Sequence, residues 1–519
     1  MSLHSPDLDT KLLRLSSQDY FTLRDACQGV NILGGIGSGK TSGSGQALAG
    51  AYLRAGMGGL VLCAKPEEAV LWRRYVAAHG RAASLIEFDD RQQGFNFLAY
   101  EIARQGVRGL NSVVECLLRV IEAARMASPS PGRSGDAFWE ETTRQALRNI
   151  IPVLHAATGT VTIPDIVQFV RGAPRTPDEM RDPAWQARSF LFQAFARARG
   201  RIDNLLGGSA VQYWRDEFAA LDPKTRGNIA ISLTTTLDRF NHGWLQRAFC
   251  GETTVVPELC FHGAIILLNL PALTLNEDGI IAQQLFKYMW QRAVLARNAL
   301  ALQHQIRPVF LWADEAQYFI NSYDAEFQST CRGSRACTVF LSQSLPTYYA
   351  KIGGDNARDR VHHLLGNFTT KIFHSNACPE TNEWAAKTIG RELHNRETYS
   401  HSEGTTHNQG LNHGGNTHSS TQSGSGRSSG AHGGGSNWSS GHSSGGGENW
   451  GMNRSAGSSR SVSRGYSEQM DYLIEPAQFG QMLKTGGPAH RNAVSAIWYQ
   501  AGRHFALTQR NVLLAEFRQ

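Results

Sequence analysis

The sequence predicts an α/β fold: a parallel sheet split by an inserted all-α domain and followed by a disordered Gly/Ser/His-rich loop. Three observations carry this. Short runs of Val, Ile and Leu alternate with amphipathic helical stretches over the first hundred residues, and again from residue 263. From about 102 to 245 the pattern is mainly helical. From about 400 to 465 Gly, Ser, His and Asn dominate, with too few apolar side chains to offset the entropy of ordering. The expected boundaries are 1–101 and 246–399 for the two parts of the α/β domain, 102–245 for the insertion, 400–465 for the flexible segment and 466–519 for a closing segment.

The first strand is "GVNIL" (29–33), and it runs into "GGIGSGKTSGSG". Gly34, four residues, then Gly39-Lys40-Thr41 fits G-x-x-x-x-G-K-[ST]. Such a loop turns successive backbone N–H groups toward one point and holds phosphate oxygens there. Its glycines permit positive φ and close approach. Gly34, Gly35, Gly37, Ser38, Gly39, Lys40, Thr41 and Ser42 are therefore the candidate nucleotide-binding residues. Lys40 would reach the β- and γ-phosphates and the Thr41 hydroxyl would ligate Mg²⁺. A small-residue helix (41–56) follows, whose N-terminus adds partial positive charge. The competing reading, an ordinary glycine-rich turn, explains neither the full pattern nor its strand-to-helix setting.

"GGLVLCA" (58–64), "PEEAVLWRRYVAAHG" (66–80) and "ASLIEF" (83–88) continue as strand, helix and strand. The insertion holds helical stretches at 111–127, 138–158, 162–172 and 228–240. Strands return at 263–270, and a long helix follows at 277–300. Further strands are expected at 308–315, 337–343 and 369–374. Past the Gly/Ser/His-rich segment, 493–500 and 504–509 are expected to pair as a closing hairpin. The histidines of that segment lack the fixed spacing of a metal site.

Hydrolysis needs a carboxylate-bearing strand beside the phosphate loop. "VFLWADEAQ" (309–317) is an apolar strand ending in Asp314-Glu315. Asp314 is placed to hold hydrated Mg²⁺ beside Thr41, and Glu315 to orient and deprotonate water. The next strand ends in Gln343, a candidate sensor of the γ-phosphate. Arg332 and Arg335 precede that strand, and either one projecting into a neighbouring subunit would act as an arginine finger.

A net charge of +7 is compatible with a polyanionic partner without demonstrating one. The eight cysteines form no C-x-x-C pair, which reads as buried free thiols in a reducing compartment. No apolar run approaches the roughly 20 residues of a membrane-spanning helix, so a cytoplasmic chain is expected.

"GGIGSGKT", "FLWADEAQ", an arginine eleven residues before the glutamine (Arg332 and Gln343), and an all-α domain inserted after the first α/β segment together resemble the TraG/TraD-like coupling proteins of type IV secretion, within the HerA–FtsK superfamily of motor ATPases. "AKPEE" (64–68), "YWRDEF" (213–218) and "GAIILLNLP" (263–271) are weaker similarities. The resemblance implies a hexameric ring of RecA-like domains, with ATP and Mg²⁺ between subunits and DNA in a central channel. It gives Lys40 and Thr41 to nucleotide and Mg²⁺, Asp314 and Glu315 to metal and water, Gln343 to sensing, and Arg332 to the trans finger. A relaxase or secretion-channel proteins would be partners. Two departures stand out. The phosphate loop begins at Gly34, leaving no room for the family's usual membrane anchor, so membrane attachment is expected either to be absent or to come through a partner. The acidic residue usual before the lysine of the second strand is Ala64 here, and Lys65 is assigned no role. Lys224 and Arg226 are offered as channel contacts. The expected function is ATP-driven DNA movement; the alternatives are a recruitment hub without translocation and a HerA-like DNA-processing or defence motor.

Overall fold

The computed structural model describes residues 7–106, 109–127, 136–412, 422–430, 433–441 and 451–519. An N-terminal hairpin pairs β1 (Lys11–Arg14) with β2 (Tyr20–Thr22). Then come β3 (Val30–Leu33), β4 (Gly58–Leu62), β5 (Leu85–Phe88), β6 (Ile265–Leu268), β7 (Val309–Ala313), β8 (Ala336–Ser342) and β9 (Thr370–Phe373). β10 (Arg391–Asn412), β11 (Gln422–Gly430), β12 (Gly433–Gly441) and β13 (Gly451–Tyr472) precede β14 (Ala493–Gln500) and β15 (Val512–Arg518).

Nine strands make one sheet, ordered β15-β14-β9-β3-β8-β7-β4-β6-β5. Every pairing is parallel except those of β14, which runs against both β9 and β15. The inner strands are buried along their whole length, which is why they read as unbroken apolar runs. Trp72 from helix Pro66–Ala78 stacks on Phe310 of β7, with centroids 5.6 Å apart. Two glycines of β4 are there for space. A Cβ on Gly58 would lie 1.9 Å from the Cys260 carbonyl oxygen, and one on Gly59 would lie 2.3 Å from the Phe310 ring.

Helices run from Phe97 to Cys250, slightly beyond the expected insertion. They pack with the sheet as one compact unit, reaching Ala385 and resuming from Pro476 to Gln519; Ala386–Glu475 is a second unit. The join is the long helix Ala272–Ala296, where the Arg292 guanidinium meets Glu101 at 2.7 Å and Met289 meets Cys116 at 3.3 Å. Asn276, at φ 51°, breaks that helix near its start.

The closing hairpin differs from expectation. β14 pairs with Val512–Arg518, whereas 504–509 forms a turn. The Asp19 carboxylate accepts the amides of Ala506 (2.7 Å) and Leu507 (3.2 Å), which withdraws them from any ladder, and Phe505 is buried. Nearby, Asp25 caps its own helix and accepts from Gln500 (2.6 Å) and Arg503 (2.9 Å), so the N-terminal hairpin is tied to the chain's last strands.

In the Gly/Ser/His-rich segment, β10 pairs with β13 and β11 with β12, each antiparallel. The side chains of 401–409 and 454–462 are exposed, in keeping with a composition that offers no core. Residues 413–421, 431–432 and 442–450 lie outside the described residues. Among the described residues, no single helix is long and apolar enough to cross a membrane.

Candidate nucleotide-binding site

Four parallel strands deliver the site to one end of the sheet. β3 ends at Leu33 and releases the loop Gly34–Lys40; β4, β7 and β8 end beside it at Leu62, Ala313 and Ser342. Gly37 (φ 70°) and Gly39 (φ 82°) take the left-handed conformation the loop requires. A Cβ on Gly34 would lie 2.5 Å from the Ser38 hydroxyl, and one on Gly39 would lie 2.7 Å from a methyl of Val494. The floor of the loop is thus β14, contributed by the far end of the chain. The helix opens with a π-type turn at Thr41–Gly45. The hydroxyl of Ser42 accepts from Gln519 at 2.7 Å.

His374, just past β9, lies beneath the turn. Its Nε2 is 2.7 Å from the Ser44 hydroxyl. Burial, seconded by the charge of Lys40, pushes its pKa down to about 3, so the imidazole is neutral.

The Thr41 hydroxyl donates to Asp314 at 2.7 Å. Two hard oxygens at that spacing suit neighbouring positions around Mg²⁺, whose bonds are about 2.1 Å. Among the described residues the buried Ser38 hydroxyl has no hydrogen-bond partner, leaving it available to a bound group. The donor set therefore fits a nucleotide with Mg²⁺.

Glu315 follows Asp314 in a left-handed conformation (φ 49°) and is 3 % exposed. Its Oε1 accepts from Lys65 (2.9 Å) and Gln343 (3.0 Å), and its Oε2 accepts from Gln317 (2.8 Å). Burial pushes its pKa up, but these three donors and the charge of Lys40 outweigh that, and the net direction is down. Gln317 is oriented in turn by the Ser342 hydroxyl (2.8 Å), and the Gln343 carbonyl accepts from Asn376 (2.8 Å). Glu68 is a further buried carboxylate, accepting the Ala64 amide at 2.7 Å; burial and Asp314 hold its pKa well above the usual range.

The predicted residues Lys40, Thr41, Asp314, Glu315 and Gln343 therefore converge. Arg332 does not join them. It is exposed on the turn before β8, a strand of seven residues, so about 23 Å of sheet separates it from Gln343. The sequence reading missed Lys65, Gln317 and Asn376. The first two lie inside quoted motifs, but only folding reveals their shared partner. Of the two channel guesses, Lys224 is exposed, whereas Arg226 donates to the carbonyls of Arg175 (2.7 Å) and Ala219 (3.1 Å).

Residues 308–429 match a family model described as the TraM recognition site of TraD and TraG. The fold is that of solved coupling-protein structures. The bacterial conjugative coupling protein TrwBdeltaN70, in its unbound monoclinic form, is 12 % identical with a TM-score of 0.56, over 98 % of this chain and 90 % of that one. Plasmid coupling protein TrwB with the non-hydrolysable ATP analogue ADPNP is 13 % identical at 0.53, over 98 % and 89 %. TrwB with ADP and Mg²⁺ is 11 % identical at 0.52, over 98 % and 91 %. No curated protein matches the sequence. The resemblance to the TraG/TraD-like group is borne out by the matched segment and by the fold.

Proposed function

We propose that this chain is an ATP-hydrolysing motor that moves DNA as a homo-hexameric ring, in the manner of the conjugative coupling proteins whose fold it shares. The observation that carries the reading is the division of the site: base, sensor and phosphate loop meet at one end of the sheet, while Arg332 is exposed at the other. One chain cannot supply both halves. A ring of identical chains can, each offering Arg332 to its neighbour's nucleotide.

In this reading Gly34, Gly35, Gly37, Ser38, Gly39 and Ser42 wrap the phosphates, and Lys40 neutralises the β- and γ-oxygens. Thr41 and Asp314 would hold Mg²⁺, which supplies charge to the phosphate oxygens when bound. Glu315, kept ionised by its donors, accepts a proton from the attacking water. Gln343 and Lys65 fix the direction in which that carboxylate points, and Gln343 can pass the loss of the γ-phosphate to β8. The segments 1–101, 246–399 and 466–519 form the motor domain, and 102–245 faces the cargo. DNA contact would run through phosphates and weaken with salt. Nucleoprotein or secretion-channel partners follow from the same reading, as does a cytoplasmic ring held near the membrane by them.

The test is ATP turnover with and without single- and double-stranded DNA. Stimulation by DNA is expected, with Glu315→Gln lowering kcat by about 10²–10⁴ and barely changing KM. Turnover indifferent to both DNAs would overturn translocation and favour a recruitment role.

A further inference from the structure

The turn that carries Arg332 is held in place from elsewhere. Cys331–Ser334 is a short 3-10 turn on the surface, closed by Arg335 in a left-handed conformation (φ 49°). Its anchors come from the end of helix Ala272–Ala296. Arg297, fully buried just beyond that helix, donates to the Ser334 carbonyl and, at 3.0 Å, to the Arg307 carbonyl. Asn298 donates to the Ser334 hydroxyl at 2.9 Å. The Arg297 guanidinium also lies over the Phe261 ring, 5.3 Å from its centroid. A buried cation spent on backbone carbonyls is an expensive way to fix a surface turn, unless the turn's position matters.

The same helix braces the opposite end of the sheet. Gln284 donates to the Tyr318 carbonyl (3.1 Å) and Lys287 to the Phe319 carbonyl (2.6 Å), on the turn that follows Glu315. Gln283 binds both the amide and the carbonyl of Cys63 (2.8 Å each), two residues before Lys65. From Gln284 to Arg297 the helix spans roughly 20 Å, at about 1.5 Å per residue.

We propose that Arg297 and Asn298 are positioning residues for Arg332, so that the helix bracing a subunit's own Glu315 also sets the pose of the arginine it offers to the next subunit. This rests on Arg332 acting in trans. The helix is the first element after the helical region and β6, and it packs on helix Gly109–Ala127. It therefore joins three places: the helical region, the water-activating carboxylate and the finger turn.

The experiment is subunit complementation in co-assembled full-length rings. Glu315→Gln subunits lack the base but keep the finger. Arg332→Ala subunits keep the base and lack the finger. In mixed rings the first can serve the second, and turnover should recover toward about a quarter of wild type, the share of correctly paired interfaces. Asn298→Ala alone should lower kcat by about tenfold to a hundredfold, with KM for ATP little changed. Mixed with Glu315→Gln it should recover as Arg332→Ala does. Ser334→Ala, which removes only the hydroxyl Asn298 reaches, should behave the same way, and the double variant should be no worse than either single one. If Arg332→Ala is complemented and neither Asn298→Ala nor Ser334→Ala is, their defect lies in their own subunit and the proposal is overturned. If Arg332→Ala itself is not complemented, the trans finger fails and the proposal falls with it.

Discussion

A carboxylate as enclosed as Glu315 stays charged only if its surroundings repay the lost hydration. Lys65, Gln343 and Gln317 do so, and each reaches it from a different part of the chain. His374 shows the opposite outcome. Enclosed below the phosphate loop with a hydroxyl for company, it gives up its proton, its pKa falling from the usual 6.5 to about 3. An imidazole depressed in this way binds fewer protons folded than unfolded throughout that interval, so stability rises with pH there. It is fully present above pH 6.5 and is lost as the pH falls toward 3, by up to about 1.4 kcal/mol per pH unit. Denaturant titrations of wild type and His374→Gln between pH 7 and pH 5 should show a shallower slope for the variant. Parallel slopes would mean that the imidazole takes up as many protons folded as unfolded, so that the fold does not depress its pKa.

Among the elements, helix Ala272–Ala296 is unusual for the polar groups it buries. Lys287 and Asp324 form an ion pair at 0 % and 1 % exposure, with Gln291 donating to the same carboxylate at 2.7 Å. Burial pushes the Lys287 pKa down against the pull of Asp324. Lys287→Met leaves Asp324 enclosed without its counter-ion and should cost about 3–5 kcal/mol in urea unfolding. Lys287→Met combined with Asp324→Leu should recover most of that loss; equal losses in both would show that the carboxylate was never the problem. This helix also marks where the sequence ceases to be legible. β3 with its loop, and β7 with Asp314-Glu315, announce themselves because their meaning lies in contiguous residues. Lys65 could not be assigned, since its partner is 250 residues away and nothing local marks the pairing. The hairpin partner of β14 was misplaced for a related reason. Residues 504–509 have strand-like composition, but Asp19 takes two of their amides. The helical character of the stretch between β5 and β6 was legible, because helical periodicity is long and local.

At the scale of the whole molecule, if Arg332 acts in trans as proposed, its separation from Gln343 would make turnover a property of the assembly. Turnover per subunit should therefore rise with protein concentration until rings are complete, and Arg332→Ala should lower that plateau by about 10³ or more without shifting the concentration at which it is reached. Sedimentation alongside the rate measurement checks both. A rate proportional to concentration down to the monomer would sink the composite site.

The order of strands across the sheet also dictates an order in time. β3 lies between β8 and β9, and the register pairs Val30 with Val339 and Thr370. During synthesis the phosphate-loop strand leaves the ribosome with neither neighbour yet made. At about 5–20 residues per second it waits about 15–60 s for the first, and longer for the Val494 methyls beneath Gly39. The helical region, built from near neighbours in sequence, can form in the meantime. Throughout that interval an apolar strand and an open glycine loop are exposed to the cell, so nascent chains are most vulnerable to aggregation while the helical region is already shaped and the candidate nucleotide site is not.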